Sequence, residues 1–159
     1  MAGSTTKKVL IRRFDREPLP GFVSPQSYLQ PSGVELLTTG GSVILLPYVE
    51  VKTVCFVKDF EASEQPERKI FNTRPKMDGL WVRMRFRDGE VMDGILPNNL
   101  LQLEPHGFTV IPPEPYSNNQ RLFLPREALL EFQVLGVVGS PLTRRKKKPA
   151  SKEQIELFE

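Results

Sequence analysis

The stretch "VRMRFRDGEVMDGI", residues 82–95, decides the fold. Counting Trp81 just before it, Trp81, Arg83, Arg85 and Arg87 alternate with Val82, Met84 and Phe86. A period of two puts the apolar set on one face of a β-strand and the polar set on the other. Asp88-Gly89 then predicts a hairpin, because a tight primed turn needs the positive φ that glycine supplies. The strand resumes at Val91, and Gly94 inside it predicts a bulge or sharp bend. A second stretch has the same layout: "VLIRRFDREPLPGF", residues 9–22, matches it at Val9/Val82, Arg12/Arg85, Asp15/Asp88, Glu17/Glu90 and Gly21/Gly94. Arg16 stands where the hairpin glycine would be, so the first turn must differ.

The likeness continues beyond these strands. Each copy reaches a turn glycine, Gly33 or Gly107. Each regains a strand that ends on a proline, "VILLP" at Pro47 and "RLFLP" at Pro125, and closes on an apolar strand, "VEVKTVCFV" or "ALLEFQVLGV". The second copy is longer in the middle, at "PPEPYSNN". A tandem duplication explains the shared order. The predicted organisation is a first unit over 1–60, a polar linker over 61–79, a second unit over 80–139 and a basic tail over 140–159. Ile70 and Phe71 are placed to pin the linker to one unit. Fifteen prolines suit short strands and turns better than helices.

Strand, turn, glycine-bent strand, two middle strands and a short last strand resemble the Sm-like or SH3-like small β-barrel. The residues that carry this are "VRMRFRDGEVMDGIL" and "RLFLPREALLEFQVL", and more weakly their counterparts in the first copy. The fold expected is all-β, two tandem small barrels from an internal duplication, followed by a flexible basic tail. The chain as a whole resembles a family of uncharacterised bacterial proteins, which implies nothing about activity.

Charge is concentrated. The segment 142–159 carries six basic and three acidic residues, which is the whole net charge of +3, and the rest of the chain is neutral. A globally cationic nucleic-acid fold is thus not indicated, whereas a basic arm is. The single cysteine, Cys55, excludes an internal disulfide and lies in an apolar run that predicts burial. The single histidine, His106, lies in the turn "EPHGF", where an exposed position is expected. Ser32, Ser117 and Cys55 are nucleophile candidates only by being present. "TTGGS", residues 38–42, reads as a Gly-Gly hairpin rather than a phosphate loop, since no Gly-Lys-Ser/Thr follows. Asp88, Glu90 and Asp93 read as solvated turn acids. No catalytic constellation, metal site or cofactor is expected, no run approaches a membrane span, and a cytoplasmic protein is the expectation. The oligomeric state is open.

Two binding expectations remain. Sm-like proteins read single-stranded RNA with loop residues, and the resemblance would place Asn98, Asn99 and Arg126 in that role. The family's loop aspartate and final-turn glycine are missing here. "IRRFDR" resembles the arginine motif of the cyclic-dinucleotide-binding PilZ type but lacks the strand pattern that should follow. The tail gives the more specific signal. Gln154-Ile155-Glu156-Leu157-Phe158 resembles the bacterial sliding-clamp-binding pentapeptide Gln-x-x-Leu-Phe. The resemblance implies that Gln154 orients the peptide in a polar pocket, Leu157 and Phe158 fill an apolar cleft, and Ile155 packs at its rim. Arg144, Arg145, Lys146, Lys147 and Lys148 would form an electrostatic tether toward DNA, RNA or an acidic clamp surface. The competing reading is a capped helical turn, Ser151-x-x-Gln154, docked on the protein's own body.

Overall fold

The computed structural model describes residues 6–60, 69–114 and 118–139. The chain is all-β, with eleven antiparallel strands and three short 3₁₀ turns among these residues. The strands are β1 Lys7–Arg12, β2 Leu19–Val23, β3 Leu29–Gln30, β4 Gly33–Thr38, β5 Val43–Leu46, β6 Thr53–Val57, β7 Gly79–Phe86, β8 Val91–Leu96, β9 Gly107–Val110, β10 Asn119–Pro125 and β11 Leu129–Val138. The tail residues 140–159, with the pentapeptide and the tether, lie outside the described residues.

Both halves pair their strands in one order. In the first half the last strand β6 pairs β1, β1 pairs β2, β2 pairs β4, and β4 pairs β5. In the second half β11 pairs β7, β7 pairs β8, β8 meets β9 through the bridge Ile95–Ile111, and β9 pairs β10. A 3₁₀ turn precedes each last strand, Tyr48–Glu50 after Pro47 and Arg126–Ala128 after Pro125. In both turns the residue that follows donates its N–H back to the turn's first carbonyl.

The matched glycines share a physical reason. A Cβ at Gly33 would lie 2.2 Å from the Leu46 carbonyl oxygen, and one at Gly107 would lie 2.1 Å from that of Leu124. Each marks where the third strand crosses tightly over the end of the fourth. A Cβ at Gly21 would press on Leu36 and one at Gly94 on Val110, again second strand against third. At Gly94 the β7–β8 register runs unbroken through Val82 opposite Gly94. The residue therefore permits close approach and is not a bulge, one of the two forms expected for it.

The Asp88-Gly89 hairpin also differs from the expected primed turn. Gly89 has φ 95°, and no non-glycine residue among the described residues has positive φ. Gly89 N–H donates to Phe86 O at 2.9 Å, and Phe86 N–H donates to Glu90 O at 2.8 Å. This is a type I turn closed by a glycine bulge, the usual three-residue hairpin loop. Thr38–Ser42 is built alike around Gly41, also at φ 95°.

The halves are not separate sheets. β6 of the first half pairs β10 of the second, so an eight-stranded sheet crosses the 61–79 connection. β11, β7 and β8 form a second, three-stranded sheet. Alternation along the junction strands divides their side chains between two cores. Val54 and Phe56 of β6 enter the first core with Val9, Ile11, Val34 and Leu36, while Cys55 and Val57 enter the second with Val82, Met84 and Phe86. From β10, Phe123 enters the first core and Leu122 and Leu124 enter the second. Cys55 is thus buried as its apolar run implies. Cys55, Val57 and Phe123 each sit in the other half's core. Burial of such side chains contributes about 1.5–3 kcal/mol each. Their sum, about 5–9 kcal/mol, is a large share of a typical domain's net stability, so the halves fold as one body.

Candidate interaction surfaces

The polar face of β7 was expected to be solvated, and at one point it is closed instead. Arg83 and Asp93 are direct partners across the β7–β8 pair. Arg83 Nε and Nη2 donate to the Asp93 carboxylate at 2.7 and 3.0 Å. Trp81 Nε1 donates to it at 3.2 Å and the Phe71 backbone N–H at 3.1 Å. Asp93 is fully buried, which corrects the reading of it as a turn acid in water. Its own N–H donates to Lys69 O at 2.7 Å, and Phe71 stacks edge-on against Trp81 at 6.2 Å. Phe71 therefore pins the end of the connection to β8, while Ile70 is 38% exposed. The hydrogen bond from Arg83 to Asp93 raises the Arg83 pKa above its ordinary value.

A second polar node joins the two halves. Lys52 Nζ reaches Asp88 at 2.7 Å and also pairs with Glu90, which Lys69 pairs with in turn. Burial alone would raise the pKa of both carboxyls, but hydrogen bonds from the lysines outweigh it and hold them below their usual values. Burial likewise works against the Lys52 charge, and the two carboxylates overcome it, so its pKa is raised. Lys52 also lies 5.0 Å above the Phe86 ring.

The residues expected to read RNA are engaged locally. Asn99 Oδ1 accepts the Leu101 N–H at 3.0 Å, and Asn99 O accepts the Gln102 N–H, forming the turn at Leu100–Gln102. Asn98 is exposed. Arg126 Nε donates to Pro105 O at 3.3 Å, and its guanidinium lies 4.8 Å over the Phe108 ring. Its backbone N–H donates to His106 O. His106 itself is half-buried, not exposed in a turn as expected: its ring stacks on Tyr48 at 4.6 Å between centroids and 14° between planes. Tyr48 donates its hydroxyl proton to Gln30 O at 2.5 Å, and burial, with Glu127 and Glu104 nearby, pushes its pKa up to about 12. Of the nucleophile candidates, Cys55 is buried with its Sγ 3.3 Å from Thr53 Oγ1, Ser32 is exposed, and Ser117 lies outside the described residues. Among the described residues no group of three or more His, Cys, Asp or Glu could hold a metal, and no helix is long and apolar enough to cross a membrane.

What the body offers a partner is strand edge. β5 pairs only β4 and β11 pairs only β7 among the described residues, and both carry exposed aliphatic side chains: Val43 and Leu45 on one, Leu130, Val134, Leu135 and Val137 on the other. Sequence reasoning missed both edges, and it missed the Asp93 node. The node had a signal, since the hairpin register sets Arg83 directly opposite Asp93 and opposite charges facing each other are stabilising.

The fold and its surfaces define an all-β protein of two interlocked halves with a neutral body and open apolar edges. The chain belongs to DUF6982, a family of unknown function, which matches residues 5–136. No curated protein and no solved structure matches it.

Proposed function

We propose that this protein is a non-enzymatic cytoplasmic adaptor that binds the bacterial DNA sliding clamp through Gln154, Ile155, Leu157 and Phe158. The observation that carries this is the Gln-Ile-Glu-Leu-Phe peptide, set six residues after the Arg144–Lys148 basic run. In this reading the body is a pair of Sm-like or SH3-like units that arose by duplication, and it acts as a second interaction module. The shared strand order and the matched glycines support the duplication. Two apolar anchors of this kind contribute about 1.5–3 kcal/mol each before ordering costs, so binding is weak and exchangeable.

Calorimetric titration of the host clamp with the full chain tests this reading. Heat of binding is expected for the wild type and is lost in the double variant Leu157→Ala/Phe158→Ala. Equal binding by both, or none by either, overturns it. The alternative, an Sm-like RNA-binding regulator, rests on the exposed Asn98. It requires that Asn98→Ala/Arg126→Ala weaken a single-stranded RNA gel shift while the tail stays intact.

A further inference from the structure

The junction inside the chain defines a surface that the chain repeats at its two open edges. At that junction the fourth strand of the second half, β10, pairs antiparallel with the last strand of the first half, β6. The same two kinds of strand are unpaired on one side elsewhere among the described residues: β5 is the fourth strand of the first half, and β11 is the last strand of the second. Burial shows what the pairing does. β6 is buried along its whole length, with Phe56 4% exposed, whereas in β11 the matching Val134 is 55% exposed. In β10 Phe123 is 0% exposed, whereas in β5 the matching Leu45 is 47% exposed. These are equivalent positions counted from Pro47 and Pro125, so the difference lies in the partner strand and not in the position.

We propose that the β11 edge of one copy of this chain pairs antiparallel with the β5 edge of a second copy, repeating the β6–β10 junction between molecules. The junction's register transfers directly. Arg121 opposite Phe56, Leu122 opposite Cys55 and Phe123 opposite Val54 become Val43 opposite Val134, Ile44 opposite Gln133 and Leu45 opposite Phe132. Inside the chain Arg121 lies 4.4 Å over the Phe56 ring, and between chains an aliphatic pair takes that place. Unpaired edges are normally protected by charge, proline or brevity. β5 is Val-Ile-Leu-Leu with no charge, and β11 is ten residues long with one acid. A groove over the face of β4 and β5 is lined by Gln30, Pro31, Glu35, Val43 and Leu45. The contact is head to tail, so every copy presents both surfaces, and assembly closes into a ring when the rotation between copies allows it. The argument rests on strand order and burial and is independent of the clamp reading.

Sedimentation of the full chain tests it, with Val43→Lys and Val134→Lys as variants. Both positions are exposed in the single chain, so each variant keeps the wild-type circular dichroism and melting profile of the monomer. Wild type is expected to sediment above monomer mass and each variant alone as monomer. An equimolar mixture of the two variants recovers a one-to-one dimer and nothing larger, because one intact β5 and one intact β11 remain to pair. A cysteine at 43 in one chain and at 134 in another should oxidise to a mixed disulfide dimer, while neither chain alone forms one. A wild type that stays monomeric over a wide concentration range overturns the proposal. So does a variant mixture that stays monomeric, or self-crosslinking of Val43→Cys alone.

Discussion

Removing Arg83 should cost more stability than removing Asp93, although they form one ion pair. The reason is unequal burial: the Arg83 side chain is 36% exposed and the Asp93 side chain 0%. In Asp93→Ala the guanidinium is left next to solvent and rehydrates, but Trp81 Nε1 and the Phe71 N–H lose their acceptor. Groups left so incur about 1–3 kcal/mol each when water cannot reach them. Partial access sets the total at about 2–3 kcal/mol. In Arg83→Met a carboxylate out of reach of water loses its only countercharge among the described residues and keeps two neutral donors. Breaking a buried pair from that side costs about 3–5 kcal/mol. Replacing both members by apolar residues, Arg83→Met/Asp93→Leu, removes the charge problem, so the double variant should be more stable than Arg83→Met alone. Urea unfolding followed by Trp81 fluorescence measures all three. Because the Asp93 carboxylate also accepts the Phe71 N–H, Asp93→Ala should speed tryptic cleavage at Lys69 and Lys76 under native conditions. If Asp93→Ala proves costlier than Arg83→Met, or if the double variant is the least stable of the three, the account of this node is wrong.

Three further outcomes follow from the same geometry. Gly107→Ala sets a Cβ 2.1 Å from the Leu124 oxygen, a backbone atom that cannot yield, and should cost about 3 kcal/mol or more in urea unfolding. Gly89→Ala meets open space and should cost only the positive-φ strain, about 1 kcal/mol. For the Lys52 node the carboxyl pKa values are depressed in the folded state. Its stabilisation is therefore present above the ordinary carboxylate range and is lost as pH falls through the folded values. The stability gap between wild type and Lys52→Met should be widest near neutral pH and narrow in acid. It should narrow again in strong alkali, as pH rises through the raised Lys52 value.

Strand identity was written in the local pattern. Val82, Met84 and Phe86 are all fully buried, and their alternation with the arginines is visible in seven letters. The paired glycines were also legible, because close strand crossing leaves few other residues possible. Which strand lies beside which was not. The period of "TVCFV" marks it as buried on both faces, but nothing in it specifies β10 rather than β5 as its neighbour. That choice is made by contacts more than sixty residues apart, which no local window contains. The burial of Asp93 escaped for a related reason, since it depends on Lys69 and Phe71 returning from the connection to cover it. The Tyr48–His106 stack is another such contact, made by two turns in different halves.

Arginine is the residue that a nucleic-acid reading of the body would call on, and here its placement argues against that reading. Arg83 is held by Asp93. Arg87 donates to Val49 O at 2.7 Å and to Glu127 O at 3.1 Å, and lies 4.1 Å over the Phe14 ring. Arg121 covers Phe56, and Arg126 covers Phe108 while donating to Pro105 O. Each guanidinium contacts carbonyls, a carboxylate or a ring from another part of the fold, so each works as a clip between elements. Phosphate binding would have to compete with those contacts and would gain little from a body of zero net charge, since affinity for nucleic acid is dominated by neutralised phosphates. Charge available for that purpose is concentrated at Arg144–Lys148. Salt-sensitive binding to DNA or RNA should therefore follow the tail, leaving the strand edges of the body to contacts with protein.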